Sequence, residues 1–319
     1  MIIQQPKLRP PFITLFSEPG MGKTTLASMF PKAIIIRTED GIESVPQERQ
    51  PALLPMARTI CQVDEQIDWI IDNRKEHGRR SIILDSITQY DAMAEKHIVD
   101  TDPNMPLSIN QACGGFGAGV KAVGKIHAGL RQKLERANRA GFAVIILAHA
   151  TTDTVEPPDG DNYSRYNLRL GKHSQAPWID NVDMVGFICL QKVVRGAVED
   201  KKISKAGKAQ SDGTRQLVCH ATAGNVSKNR YHVDDSIELP PVGKWINPLF
   251  AIIPYYIQFL NPDGTPKKPG DAAPKPEVKP EPETEPEPEP EPDQSATFMD
   301  DGDDEEMSLD PNDYAEPEL

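Results

Sequence analysis

The sequence predicts an α/β protein, a mainly parallel central sheet flanked by helices, followed by an acidic tail that does not fold. Three observations predict it. Short β-branched runs alternate with stretches of helical periodicity, as parallel strands joined by crossover helices do. A glycine-rich turn, residues 17–24, separates the first such run from the first helix. The charge is also divided. Residues 263–319 hold 20 acidic residues, 4 lysines and 12 of the 30 prolines, a net of −16. The other 262 residues come to about +3, within a chain total of −13.

The first strand is expected at residues 12–16, Phe12-Ile-Thr-Leu-Phe16, with its helix ended by Pro31. The second is residues 33–37 and the third residues 81–85, after an amphipathic stretch holding Ile67, Ile70 and Ile71. Val123, Ile126, Leu130, Leu134 and Ala137 recur at helical spacing and Gly141 closes that helix. The fourth strand follows at residues 142–148 and the fifth at residues 184–190. Strand-like pieces at residues 217–220 and 231–233 suggest a hairpin. The expected organisation is an arm (1–11), one α/β domain (12–262) and the tail (263–319). Glu-Pro alternation over residues 281–292 and the acidic run at 300–306 cannot bury enough apolar surface to offset chain entropy.

Several classes are excluded. No apolar run approaches the roughly 18 residues of a membrane helix, and the first residues offer no apolar leader. Cys61, Cys113, Cys189 and Cys219 are too scattered for a zinc or redox pair, so reduced, buried thiols in a cytoplasmic protein are expected.

The chemistry begins at Ser17-Glu-Pro-Gly-Met-Gly-Lys-Thr24. Glycines let backbone N–H groups turn inward around a phosphate, and the following helix points its N-terminus at the same charge. The binding set is Ser17, Pro19, Gly20, Met21, Gly22, Lys23, Thr24 and Thr25. Lys23 would reach the β- and γ-phosphates of ATP, and the Thr24 hydroxyl would ligate Mg²⁺. Ser17 stands where the usual pattern opens with glycine. Asp85 ends an apolar strand and suits the second magnesium role, although Asp-Ser is also a helix cap. Glu39 and Asp40 follow the second strand at the carboxyl edge, where a carboxylate could polarise an attacking water. His149 ends the fourth strand at the same edge.

This order of parts resembles the RecA-like P-loop NTPases, most closely the phage Sak-type single-strand annealing proteins related to the Rad recombinases. The resemblance spans residues 12–239 and is carried by residues 12–25, Thr38-Glu39-Asp40-Gly41, residues 82–86, residues 144–149 and Lys228-Asn229-Arg230. It implies that Glu39 activates water and that His149 senses the γ-phosphate. It implies too that Lys228 and Arg230 form a finger inserted into a neighbouring subunit's ATP site, within a homo-oligomeric ring or filament. Single-stranded DNA would meet two loops, residues 100–119 and 151–178. The second carries Arg165, Arg169, Lys172 and His173 among Tyr163, Tyr166 and Trp178, the mixture of cations and aromatics that a single strand requires. A further basic stretch, residues 195–215, reads as an exposed loop.

The function expected is that of a DNA-stimulated ATPase that pairs single strands. The rivals are a DnaB-type ring helicase motor and a non-hydrolysing regulatory module. Phe298, Met299, Met307 and Leu309 flank the acidic run and could recruit a protein partner, such as a single-strand binding protein.

Overall fold

The computed structural model describes residues 8–191, 213–220, 222–241 and 243–261, with backbone alone at 193–194 and 209–210. The expected tail and most of the arm lie outside the described residues. Strand β1 (Phe12–Ser17) lies centrally and is buried along its whole length. It pairs in parallel with β5 (Ala143–Val155) on one side and β7 (Met184–Leu190) on the other. Beyond β5 come β4 (Ser81–Asp85), β2 (Ala33–Arg37) and β3 (Ala52–Leu53), all parallel. Beyond β7 the sheet turns antiparallel, with β10 (Arg215–Val218), β11 (Lys228–Asn229) and β12 (Ile237–Glu238). Including β6 (Tyr163–Leu168), this is a ten-stranded mixed sheet. A short ribbon, β8 (Val193–Val194) with β9 (Ala209–Gln210), stands apart from it.

The apolar residues alternate along β1 and so supply two cores. Phe12 and Phe16 face one layer, which holds α2 (Ile60–Asp72), α4 (Ile87–Thr101) and α5 (Ala118–Arg139), with the short α3 (Arg74–His77) after α2. Ile13 and Leu15 face α1 (Lys23–Ser28) and a C-terminal segment that follows the short α6 (Ala176–Ile179) in the chain and includes α7 (Pro254–Ile257). That segment lies beyond the stretch carrying the resemblance, yet its Leu249, Ile253 and Tyr256 complete the second core. Thr59 and Ser86 cap α2 and α4 by accepting from Gln62 and Gln89 N–H groups. In α5, Val123, Leu130, Leu134 and Ala137 are buried, as their spacing requires.

Three expectations need correction. The fourth strand does not stop at residue 148. β5 runs to Val155 and folds back through β6 as a hairpin, Ala150 opposite Leu168 and Val155 opposite Tyr163. Thr151, Thr152, Thr154 and Val155 favour extended backbone, and Pro-Pro-Asp-Gly supplies the turn. Residues 231–233 form no strand. The nearby strand is instead Lys228–Asn229, paired with β7. Cys61 and Cys113 are exposed rather than buried.

Candidate nucleotide site

Five chain segments meet at the carboxyl edge of the parallel strands. After β1 the backbone turns through Gly20 and Gly22 at φ +79° and +87°, a left-handed conformation that glycine adopts without strain. The Lys23 ammonium folds back over this loop, donating to Ser17 Oγ at 3.0 Å and to the Ser17 and Glu18 carbonyls at 3.3 Å. Serine in place of the usual glycine thus provides a hydroxyl that holds the lysine. The helix that follows has only six residues. Its dipole is correspondingly small, so the lysine and the loop amides are the main attraction for an anion.

Asp85 and Ser86 divide the two roles between them. Ser86 is the helix cap, while Asp85 Oδ2 accepts from the Thr24 hydroxyl at 2.7 Å. Thr38, just past β2, ties the ends of β2 and β4 together. Its N–H donates to the Asp85 carbonyl at 2.8 Å, and its hydroxyl donates to the Ser86 carbonyl and accepts from the Ser86 N–H. A hydroxyl beside a carboxylate is a hard-oxygen set suited to magnesium. Burial raises Asp85 above the ordinary aspartate range, outweighing the Thr24 hydrogen bond and the Lys23 charge. Among the described residues no cluster of three His, Cys, Asp or Glu side chains could hold a metal, so a cation here would need phosphate oxygens as well.

Glu39 and His149 are brought into contact across the edge, with Nε2 of His149 3.0 Å from Glu39 Oε1. A carboxylate can only accept, so Nε2 carries the proton. Burial would raise Glu39, but hydrogen bonds from His149 and Ser86 prevail and hold it below the usual glutamate range. Lys23 is lowered, first by burial; Asp85 and Glu39 oppose that shift and Arg169 adds to it. The charges at this edge therefore sense one another.

Two arginines belong here that the sequence did not assign to this site. Arg169, expected on a DNA loop, follows the hairpin, its N–H donating to the His149 carbonyl at 2.8 Å, and its charge acts on Lys23. Arg215, expected in an exposed loop, reaches from β10 to the phosphate loop. It donates to the Met21 carbonyl at 3.3 Å and the Pro240 carbonyl at 2.8 Å. No local pattern signals a contact between residues this far apart in the chain.

The remaining residues separate. Arg165 and Lys172 are accessible on the hairpin and the turn after it. Tyr166 is partly buried and stacks one face on Phe187 with centroids 4.7 Å apart, whereas Trp178 is fully buried and presents no face to a base. In the first loop Met105, Leu107 and Phe116 are exposed. Lys228 and Arg230 lie at the opposite edge of the sheet. Lys228 donates to the Ile179 and Asp180 carbonyls, and Arg230 pairs with Asp183 at 3.4 Å.

A family model described as an AAA domain matches residues 9–231. No curated protein matches the chain. Among the described residues no helix is long and apolar enough to cross a membrane.

Proposed function

The chain belongs to the AAA domain family of P-loop ATPases, and from that premise we propose that it is a magnesium-dependent, DNA-stimulated ATPase of the phage Sak type that binds and pairs single strands as a homo-oligomer. One observation carries the reading. The strand that places His149 against Glu39 continues unbroken into the hairpin bearing Arg165, and the chain returns through Arg169 to the same site. A group bound at the nucleotide can thereby be felt on the hairpin, and a strand on the hairpin can be felt at Glu39.

In this reading the loop amides and Lys23 bind the β- and γ-phosphates. Thr24 and Asp85 would hold the divalent cation, which when bound neutralises charge on the phosphate oxygens. Glu39, kept ionised by its hydrogen bonds, takes the proton of the attacking water. His149 orients that carboxylate and is placed to exchange its bond to Glu39 for one to the terminal phosphate. Lys228 and Arg230 act on a neighbouring copy, and the acidic segment beyond residue 262 recruits a protein partner.

The test compares ATP hydrolysis without DNA, with single strands and with duplex, alongside annealing of complementary oligonucleotides. Stimulation by single strands together with faster annealing is expected. Directional unwinding of a fork would favour a helicase motor instead, and no turnover with any DNA would favour a regulatory module.

A further inference from the structure

The edge of the sheet opposite the phosphate loop carries two basic cavities whose residues, Arg230 apart, the nucleotide chemistry leaves unused. The first, about 550 Å³, is lined by Arg9, Arg131, Arg136, Arg139 and Arg230 around Glu135. Three carboxylates answer these five arginines. Glu135 is shared by Arg9, Arg131 and Arg139, Asp183 by Arg9 and Arg230, and Asp68 takes Arg136. Each guanidinium has five N–H donors, so sharing leaves an excess of positive charge and more donors than the carboxylates can take.

The second cavity, about 430 Å³, is lined by Arg74, Lys75, Arg79 and Arg80, with no carboxylate in its wall. The two adjoin at the end of α5, where Arg139 lines one and Ala140 the other, and Arg74 donates to the Ala140 carbonyl at 3.2 Å. Beside the second cavity the ring of Trp69, 46% exposed, lies 5.5 Å from His77, whose Nδ1 accepts from the Arg79 N–H.

We propose that these two cavities form one track that binds the phosphate backbone of a single-stranded nucleic acid, with Trp69 stacking a base. Eight of the nine cations are arginine, whose planar fork matches phosphate oxygens. An acidic peptide would need apolar anchors as well. The first cavity offers none and the second only the small Ala140 and Phe142, the latter 2% exposed. An accessible aromatic among cations is what distinguishes a single strand from a bare polyanion. The track goes beyond the proposed function, because the hairpin and loops of that reading lie at the other edge.

The test uses the full chain with Lys75→Ala, Arg80→Ala and Arg139→Ala combined, all exposed and outside the nucleotide site. Oligo(dT) binding is measured over a range of salt, with basal ATP hydrolysis as the control. Losing three phosphate contacts should flatten the slope of log K against log salt by about 2, at ~0.7 per contact for single strands. Separately, Trp69→Phe should remove the quenching of intrinsic fluorescence by oligo(dT), since Trp178 is buried and Trp245 lies under Arg49. An unchanged slope with undiminished quenching in Trp69→Phe overturns the track. So does a slope lowered only by Arg165→Ala with Lys172→Ala, which would leave the proposed function intact. Displacement of oligo(dT) by poly-glutamate at equal charge concentration would overturn it in favour of an acidic peptide. Failure of the unaltered chain to bind any strand would sink both readings.

Discussion

Asp91→Asn probes the buried network that anchors the segment following Arg169. Asp91 Oδ1 lies 2.9 Å from Nε2 of His127, Oδ2 accepts from the Gly171 N–H at 3.0 Å, and the Ser174 side chain also bonds the carboxylate. The indole N–H of Trp178 donates to Nδ1 of His127 at 2.9 Å, so that nitrogen is unprotonated and the proton resides on Nε2. Every neighbour thus directs a donor at Asp91. An asparagine keeps one acceptor oxygen and turns an NH₂ toward either His127 or Gly171. One hydrogen bond to a charged acceptor is lost, and a buried donor is left unpaired. Such a loss costs about 1.5–3 kcal/mol, or roughly 3–12 °C in Tm for a domain of this size.

The acid dependence provides a second reading of the same substitution. Burial would raise Asp91, but the bonds from His127 and Gly171 prevail and hold it below the usual range. Its folded-state pKa is therefore lower than its unfolded value of about 3.9. Its contribution is complete above that value and is lost as pH falls through the folded-state pKa. Urea titrations of both proteins should therefore differ most near neutral pH, and the gap should begin to narrow only below about pH 4. A loss under about 0.5 kcal/mol at neutral pH, or a gap that does not narrow in acid, would refute the network's polarity.

Other outcomes follow from the nucleotide edge. Lys23→Ala should abolish nucleotide binding, whereas Glu39→Gln should retain ATP and stop turnover; normal hydrolysis by Glu39→Gln would shift the base to Asp40. Gly22→Ala forces a side chain into a left-handed φ and pushes the Arg215 guanidinium off the loop, so titration with a fluorescent ATP analogue should show binding weakened in a folded protein. Arg215→Ala, which frees the Met21 carbonyl, should weaken that binding several-fold, and an unchanged Kd would remove Arg215 from the site. Arg230→Ala mixed with Glu39→Gln should recover part of the ATPase activity if the finger acts between copies, and no rescue after verified mixing counts against it.

What could be read from the sequence is what short segments decide. β1, the glycine turn, Lys23, Thr24 and the buried face of α5 each follow from residues within one or two turns of one another. The strand end at His149 was legible, but its continuation was not, because the apolar run stops there and the Thr-rich stretch extends in a different environment. Trp178 looked available among basic residues, and only packing against His127 commits it to the core. Arg169 and Arg215 reach the site through contacts across the sheet, which no local spacing encodes.

The two edges of the sheet also constrain where Lys228 can act. Lys228 pairs with Val185, and Val185 with Thr14, three residues before Ser17. At about 3.3 Å per residue and about 4.8 Å between strands, it starts roughly 10 Å below and two strands aside from the phosphate loop. Its ammonium is tied to the Ile179 and Asp180 carbonyls, farther from that loop, and Arg230 is directed to Asp183 beside the start of β1. Neither cation can serve the ATP site of its own chain without unpairing β11. A catalytic role for them therefore requires a second copy, whereas a role for Arg230 in the basic track requires none.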